Sequence, residues 1–312
     1  MANELKNIYA DLEAMRKKKY RSSLILFILA SLFLVPSIAS FLLGGVFDFT
    51  FLIIIGFVIG IIGLILLCIG LGIKNRFSKD VRAKAEKAVR DELFPGAVLD
   101  SDKGFDLSFL LSPGFFASPD RYYGSHFMSG SYKNIPFEKA SYDLQKKHTT
   151  TDSKGHTVTT YITYAKGTLY HFTFERDLGE TVKILEKQGV LSFGSSKDNL
   201  TKVETEFIQF NKKFRVLASN ETTVFYLLTP QIQEKILALE PKYKGTFYLS
   251  YMGNSLFIAV NDSGESVKVP YSKPISDETM RPLLEFYGAP ALFIDTLDLD
   301  SNKFKKNAGV DL

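Results

Sequence analysis

Two uncharged apolar runs set the terms on which this chain can fold. Residues 22–43 form a run of 22 positions without a charge, and residues 49–73 a run of 25. A hydrocarbon core of about 30 Å takes roughly 20 apolar helical residues, so either run can cross a bilayer as a helix. Only Gly44, Gly45, Val46, Phe47 and Asp48 separate them. A connection this short makes the two helices antiparallel neighbours.

The flanks orient the hairpin. Arg16, Lys17, Lys18, Lys19 and Arg21 precede the first run, and Lys74, Arg76, Lys79, Arg82 and Lys84 follow the second. The turn between them carries Asp48 and no Lys or Arg. Basic flanks stay on the cytoplasmic side. The expectation is a plasma (inner) membrane protein with two spans, both termini cytoplasmic and the tight turn outside. The alternative is a cleaved signal peptide ending near Ser37-Ile38-Ala39. That reading requires 21 residues of charged leader, and the second helix would remain in place.

The second run contains Gly56 and Gly60 in GxxxG spacing, with Gly63 near the same face. Small residues let helix backbones approach closely in lipid. The partner is either a second copy, giving a homo-oligomer, or the first helix, which offers Ala30, Ser31, Ser37, Ala39 and Ser40. Pro36 is expected to kink the first helix. Cys68, the one cysteine, is expected to pack within the membrane. A single cysteine excludes an intramolecular disulfide and any zinc site built on paired cysteines.

Apolar periodicity extends both helices outside the membrane. Leu5, Ile8, Leu12 and Met15 form one stripe, and Val81, Ala85, Ala88 and Val89 another. Phe94-Pro95-Gly96 ends the second. Residues 1–21 and 74–95 therefore read as an amphipathic helix and a stalk helix. Either they run on together as a stalk, or each lies on the membrane surface through its lysines.

Residues 96–312 read as one self-contained cytoplasmic domain. Strand patterns cover 137–145, 156–165, 168–175, 181–185, 213–218, 246–252 and 255–260. Turns fall at Asp152-Ser153-Lys154-Gly155, Lys166-Gly167 and Gly253-Asn254. Helical patterns cover 204–211 and 229–239, and a third helix starts at Ser276 as N-cap, with Ile275 and Met280 as a hydrophobic staple. The fold class is α+β: an N-terminal transmembrane helical hairpin (22–73) with a helical stalk, then a mainly antiparallel-sheet domain.

The order of several short motifs carries a family resemblance. They are Pro119-Asp120-Arg121-Tyr122-Tyr123-Gly124 with Ser129-Gly130, Lys166-Gly167-Thr168-Leu169-Tyr170, and Phe207-x-x-Phe210-x-x-x-Phe214-x-Val216. Tyr226-x-Leu228-Thr229-Pro230 and Ser255-Leu256-Phe257-Ile258-Ala259-Val260 complete the set. The chain resembles a bacterial membrane-anchored family of unknown function, with two N-terminal membrane helices and a cytoplasmic domain. The resemblance implies an architecture and a membrane address, and supplies no activity. The Thr-rich segment 149–160 departs from the family pattern.

Catalytic signatures are absent. There is no GxxxxGK[ST], GxSxG, SxxK or HExxH, and no cofactor is expected. Asp298, Asp300 and Asn302 imitate the start of a calcium loop, but Lys303 and Gly309 stand where glycine and glutamate are required. His148 and His156 flank a hairpin turn and are read as surface residues. Net charge is +4, yet residues 1–90 carry 13 Lys+Arg against 6 Asp+Glu, leaving the rest at −3. The folded part is slightly acidic, which argues against a nucleic-acid partner.

The densest polar-aromatic segment is 119–132, read as a loop. Asp120, Arg121, Tyr122, Tyr123, Gly124 and His126 are its candidate binding residues, because loops on rigid scaffolds carry binding groups. The expected function is a membrane-tethered interaction or scaffold module, its partners the lipid bilayer and a protein. The alternative is a membrane-bound enzyme, hydrolytic in type, using dispersed Asp and His.

Overall fold

The computed structural model describes residues 2–47, 49–151, 155, 157–187, 199–243, 245–262 and 271–306. The chain divides into two compact units. One comprises Met1–Val89 with Val267–Phe286, the other Arg90–Ser266 with Tyr287–Leu312. The described residues 271–286 thus group with the N-terminal helices.

The first unit is built on α1 (Ala2–Val46) and α2 (Thr50–Leu93). Each apolar run and its charged extension form one uninterrupted helix, α1 including Pro36. Both helices are long and apolar enough to cross a membrane, and only 11% of each apolar window is buried. What is buried is the seam of small residues. A Cβ on Gly56 would lie 3.1 Å from the Ser37 carbonyl oxygen and from Ser40 Cβ, and one on Gly63 would lie 2.8 Å from Leu34 Cγ. Ser37 Oγ donates to the Gly56 carbonyl at 2.7 Å. The glycine stripe is thus filled by the first helix of the same chain. Ala30 and Ser37 lie in the seam, whereas Ser31 and Ala39 face outward. Cys68, expected to pack, lies on the outward face of α2, away from the seam with α1.

Beyond the apolar runs the two helices remain paired, as a stalk requires. Lys19 Nζ meets Asp80 Oδ2 at 2.6 Å, Lys84 pairs with Asp11, and Leu12, Phe77 and Val81 are fully buried. Leu5, Ile8, Ala85, Ala88 and Val89 lie outside the described side chains. Tyr271 closes this stalk. Its ring meets Tyr20 and Phe77 edge-on at 5.6 and 5.3 Å. Its hydroxyl lies 2.6 Å from Ser23 Oγ and donates to the Lys19 carbonyl at 2.9 Å. Glu13 binds Arg16 at 2.7 Å and accepts from the Ile275 N–H at 2.8 Å. Ser276 and Thr279 cap α7 (Asp277–Thr296), and Ile275 and Met280 are both buried.

The second unit is a nine-stranded, wholly antiparallel sheet, so the fold is α+β. Its strands are β1 (Val98–Asp100), β2 (Arg121–Tyr132), β3 (Ile135–Thr151), β4 (Thr157–Thr173), β5 (Thr181–Glu186), β6 (Thr201–Val203), β7 (Phe214–Ala218), β8 (Thr246–Met252) and β9 (Ser255–Asn261). The spatial order is β1-β2-β3-β4-β9-β8-β5-β7-β6. The turn expected at Lys166-Gly167 is instead part of the continuous strand β4, where Gly167 admits the close approach of the β9 backbone: a Cβ there would lie 1.9 Å from the Val260 carbonyl oxygen. One face carries Ala140, Tyr142, Leu144, Leu169, Phe257 and Ala259, covered by Phe105, Leu110, Phe115 and Phe116 around α3 (Leu107–Leu111). On the other face Tyr170 and Phe172 meet Phe293, and Tyr251 and Phe174 meet Phe304.

Three short helices complete this unit: α4 (Ile208–Lys213), α5 (Glu221–Leu227) and α6 (Pro230–Leu239). The helix expected at 204–211 starts four residues late. The Asn211 side chain binds both the N–H and the C=O of Thr205, which keeps 204–207 extended.

Glu186, at the end of β5, is 4% exposed, and its Oε2 accepts from the Phe247 N–H at 2.9 Å. Burial raises its pKa above the ordinary carboxyl value, the Phe247 bond opposes this, and the neighbouring Glu240, which pairs with Lys213, adds to it. A carboxyl with a raised native pKa binds a proton more tightly in the folded state. Its stabilisation is therefore complete at low pH and is lost as pH rises from the ordinary carboxyl value through the native one. Glu186→Gln keeps an acceptor for Phe247 but cannot ionise. Thermal unfolding of the detergent-solubilised chain, followed by tyrosine fluorescence, should show a shallower fall in Tm with rising pH for the variant than for wild type.

Candidate functional site

The segment read as a loop is a strand. Arg121 to Tyr132 form β2, paired with β3 from Arg121↔Gln145 to Tyr132↔Ile135 with a bulge between Ser125 and Met128. Its glycines and serines resembled turn residues because other chain segments approach closely there. A Cβ on Gly124 would lie 2.7 Å from Gly104 Cα, and one on Gly130 would lie 3.0 Å from Ala97 Cβ. In strands, glycine often marks a bulge or a close backbone approach.

The six candidate residues separate into two groups. Asp120, Tyr122, Gly124 and His126 hold the strand in place. The Asp120 N–H donates to the Gln145 carbonyl at 2.9 Å, and its carboxylate accepts from the Lys147 N–H at 2.8 Å. Tyr122 donates to the Phe105 carbonyl at 2.8 Å, and burial, reinforced by Asp106, pushes its pKa up to about 12. His126 sits in the bulge at φ +57°, with Nδ1 2.9 Å from Ser125 Oγ. Arg121 and Tyr123 are exposed and share a face, since side chains two apart on a strand point the same way.

The structure adds a residue to that face. The Arg121 guanidinium lies 3.6 Å from the centroid of the Tyr161 ring. Tyr161 stands on the outer part of β4, which with β3 forms a two-stranded ribbon beyond the end of β2. Here the ladder runs from Gln145↔Thr163 to Thr151↔Thr157. The register puts Arg121, Tyr123, Lys147 and Tyr161 on one face and Val158, Ile162 and Lys146 on the other. Tyr123, Val158, Tyr161 and Ile162 are all exposed. β9 pairs with β4 only from Thr168 onward, so residues 157–165 present an edge with no strand partner among the described residues. The turn at 152–154 and His156 lie outside the described residues. His148 pairs with Thr160.

Three strands assemble a constellation that sequence spacing gave no sign of. His171 on β4 lies directly opposite Glu138 on β3, with Nδ1 3.2 Å from Glu138 Oε2. His171 Nε2 lies 3.1 Å from the hydroxyl of Ser255, the first residue of β9. The imidazole stacks on Phe257 at 4.7 Å and meets Phe109 edge-on at 5.1 Å. Burial lowers its pKa below the usual histidine value, and Glu138 partly offsets that. The three residues are 33 and 84 positions apart, so no local motif could reveal them.

A cavity of about 520 Å³ opens among α4, α5 and α6, lined by Phe207, Phe225, Leu228 and Pro230 with Glu206 and Glu234 at its polar side. The aspartates of the calcium-like segment are matched with lysines: Asp295 and Asp300 with Lys133, Asp298 with Lys235. Among the described residues no three His, Cys, Asp or Glu side chains group as metal ligands. Gly309 lies outside the described residues.

A family described as proteins of unknown function, DUF3137, matches residues 163–298, from β4 to the end of α7. That stretch contains 166–170 and 255–260 but not the segment 119–124. The mycobacterial trehalose monomycolate transport factor A, TtfA, aligns in structure at 10% identity over 66% of this chain and 92% of its own, with a TM-score of 0.35. A search of curated proteins gives no match.

The division between holding and exposed residues is testable. Tyr122→Phe removes one partly buried hydrogen bond and should cost about 1 kcal/mol of stability. Tyr123→Ala, on an exposed position, should stay within about 0.5 kcal/mol. Thermal unfolding of the two variants side by side measures both.

Proposed function

We propose that this chain is a membrane-anchored interaction module, held by α1 and α2 in the inner membrane with both termini and the sheet unit in the cytoplasm. The basic flanks of the apolar runs and the Lys-free turn support the orientation. The outward-facing apolar side chains of both helices support lipid contact. No catalytic group enters this reading.

The observation that carries it is the Arg121 guanidinium, which reaches from β2 across β3 to stack on Tyr161 of the edge strand β4, on the same face as exposed Tyr123. A stacked guanidinium is preorganised, so less side-chain entropy is lost when a partner binds. Tyr and Arg dominate interface hot spots, and an unpaired strand edge accepts an extended segment by adding a strand. Arg121, Lys147 and Lys166 outnumber Asp143 on this face. The partner proposed is an acidic polypeptide segment that adds to residues 157–165.

Two measurements test the reading. In a Cys68→Ser background, Gly45→Cys should react with an impermeant maleimide from outside intact cells, and Thr159→Cys only after permeabilisation; the opposite pattern overturns the orientation. Arg121→Ala combined with Tyr123→Ala should lower recovery of partners cross-linked in membranes by more than tenfold. Truncating one hot-spot residue costs about 2 kcal/mol, and 1.4 kcal/mol is about tenfold. Unchanged recovery by a folded double variant places the binding surface elsewhere.

A further inference from the structure

We propose that Ser255, His171 and Glu138 form a nucleophile–base–orienter relay that hydrolyses a carboxylic ester at the rim of the sheet. The geometry has the parts such chemistry requires: a hydroxyl 3.1 Å from one imidazole nitrogen and a carboxylate 3.2 Å from the other. The Glu138 carboxylate only accepts, so His171 Nδ1 carries the proton and Nε2 is left to accept from the Ser255 hydroxyl. That is the tautomer a general base needs.

The relay is fixed by the ladder rather than by loops. Glu138 and His171 are a cross-strand pair, and Ser255 stands opposite Thr173, two positions along the same face from His171. Gly253 and Asn254, just before Ser255, are tied down as well: the Leu178 and Phe174 N–H groups donate to their carbonyls at 3.0 and 2.7 Å. Packing alone does not call for an imidazole between Phe109 and Phe257, where an aliphatic side chain would fill the space without burying two polar nitrogens. The two ends remain open to solvent. The Glu138 side chain is 41% exposed against 12% for His171, and Ser255 is half-buried. Asn254 Oδ1, 3.4 Å from Ser255 Oγ, is a second acceptor for the same hydroxyl, and His171 Nε2 at 3.1 Å is the nearer of the two.

In the first step Ser255 Oγ bonds to the acyl carbon while its proton passes to His171 Nε2, and the carbonyl pair moves onto oxygen. Collapse breaks the ester C–O bond, and His171 returns the proton to the departing alkoxide. The products are an alcohol and acyl-Ser255. Water then attacks the acyl carbon, giving its proton to His171. Breaking the acyl–Oγ bond restores the serine and releases the acid. Ester and water give acid and alcohol, with no change of oxidation state. Glu138 is a positioning residue that orients the imidazole.

The test uses the full chain in detergent micelles with a fluorophosphonate probe and p-nitrophenyl acetate. Peptide mass spectrometry should find the probe on Ser255. Ser255→Ala should abolish both labelling and hydrolysis. His171→Gln should lower the labelling rate on the order of 10²-fold or more, the usual worth of a general base. Glu138→Gln should slow the reaction and move its rising pH limb to lower pH, because the carboxylate raises the pKa of His171. The groups described around the imidazole are Glu138, Ser255, Phe109 and Phe257. Absence of label on Ser255 in folded wild type overturns the proposal, as does equal labelling in His171→Gln. If His171→Gln unfolds, Ser255→Ala and the pH profile of Glu138→Gln decide the matter.

Discussion

The register of β4 against β3 determines most of what the sheet unit presents. Fifteen cross-strand pairs run from Phe137↔Phe172 to Thr151↔Thr157, interrupted by one irregularity after Leu144. That irregularity leaves Tyr164 as an extra residue, between Ala165 opposite Leu144 and Thr163 opposite Gln145. A slip of one residue would turn every side chain of β4 to the opposite face. It would separate His171 from Glu138 and Tyr161 from Arg121 in one move. It would also drive Leu169 out of the core in which it is fully buried. Hydrophobic burial along the inner half of the strand thus sets the polar geometry along both halves.

The helical unit depends on a different kind of fit. In the membrane-spanning arrangement proposed above, burying apolar surface provides no drive for two helices to associate, so contact area and close approach hold them. Gly56, Gly60 and Gly63 provide that approach, and Ser37 adds a hydrogen bond to the opposing backbone. Outside the apolar runs, ordinary aqueous forces take over: buried Leu12, Phe77 and Val81, cross-helix ion pairs, and the Tyr271 ring with its hydroxyl satisfied twice. The change of mechanism coincides with the change in composition near Arg21 and Lys74.

Much of this architecture is legible in the chain itself. Uncharged runs of 22 and 25 residues read as helices without ambiguity, and β8 and β9 stand out as an alternating hairpin around Gly253-Asn254. The rest was hidden for identifiable reasons. In β2, the glycines demanded by Gly104 and Ala97 look like turn signals when their neighbours are unseen. The helix near 204 was delayed by one asparagine acting on a residue six positions earlier. Tyr271 looks like any aromatic in a Pro- and Ser-rich stretch, and its destination lies some 250 residues away in sequence. Arg121–Tyr161 and Glu138–His171–Ser255 are products of strand pairing, so they exist only once register is known. The candidate residues on β2 were thus found by composition, but which of them face outward was decided by the ladder.

The β3–β4 ribbon has one further consequence. Its six outer residues per strand extend about 20 Å past the point where β2 stops, at roughly 3.4 Å per residue. The β3 side there is lysine, histidine and threonine, the β4 side threonine with Val158, Tyr161 and Ile162, and those three side chains are exposed to solvent. The length of this arm is therefore uncoupled from the stability of the sheet behind it. Removing or inserting a pair of residues on each strand would change the reach by about 7 Å per step while leaving every buried side chain where it is. The arm is thereby an adjustable spacer, whose reach can change without any change to the core.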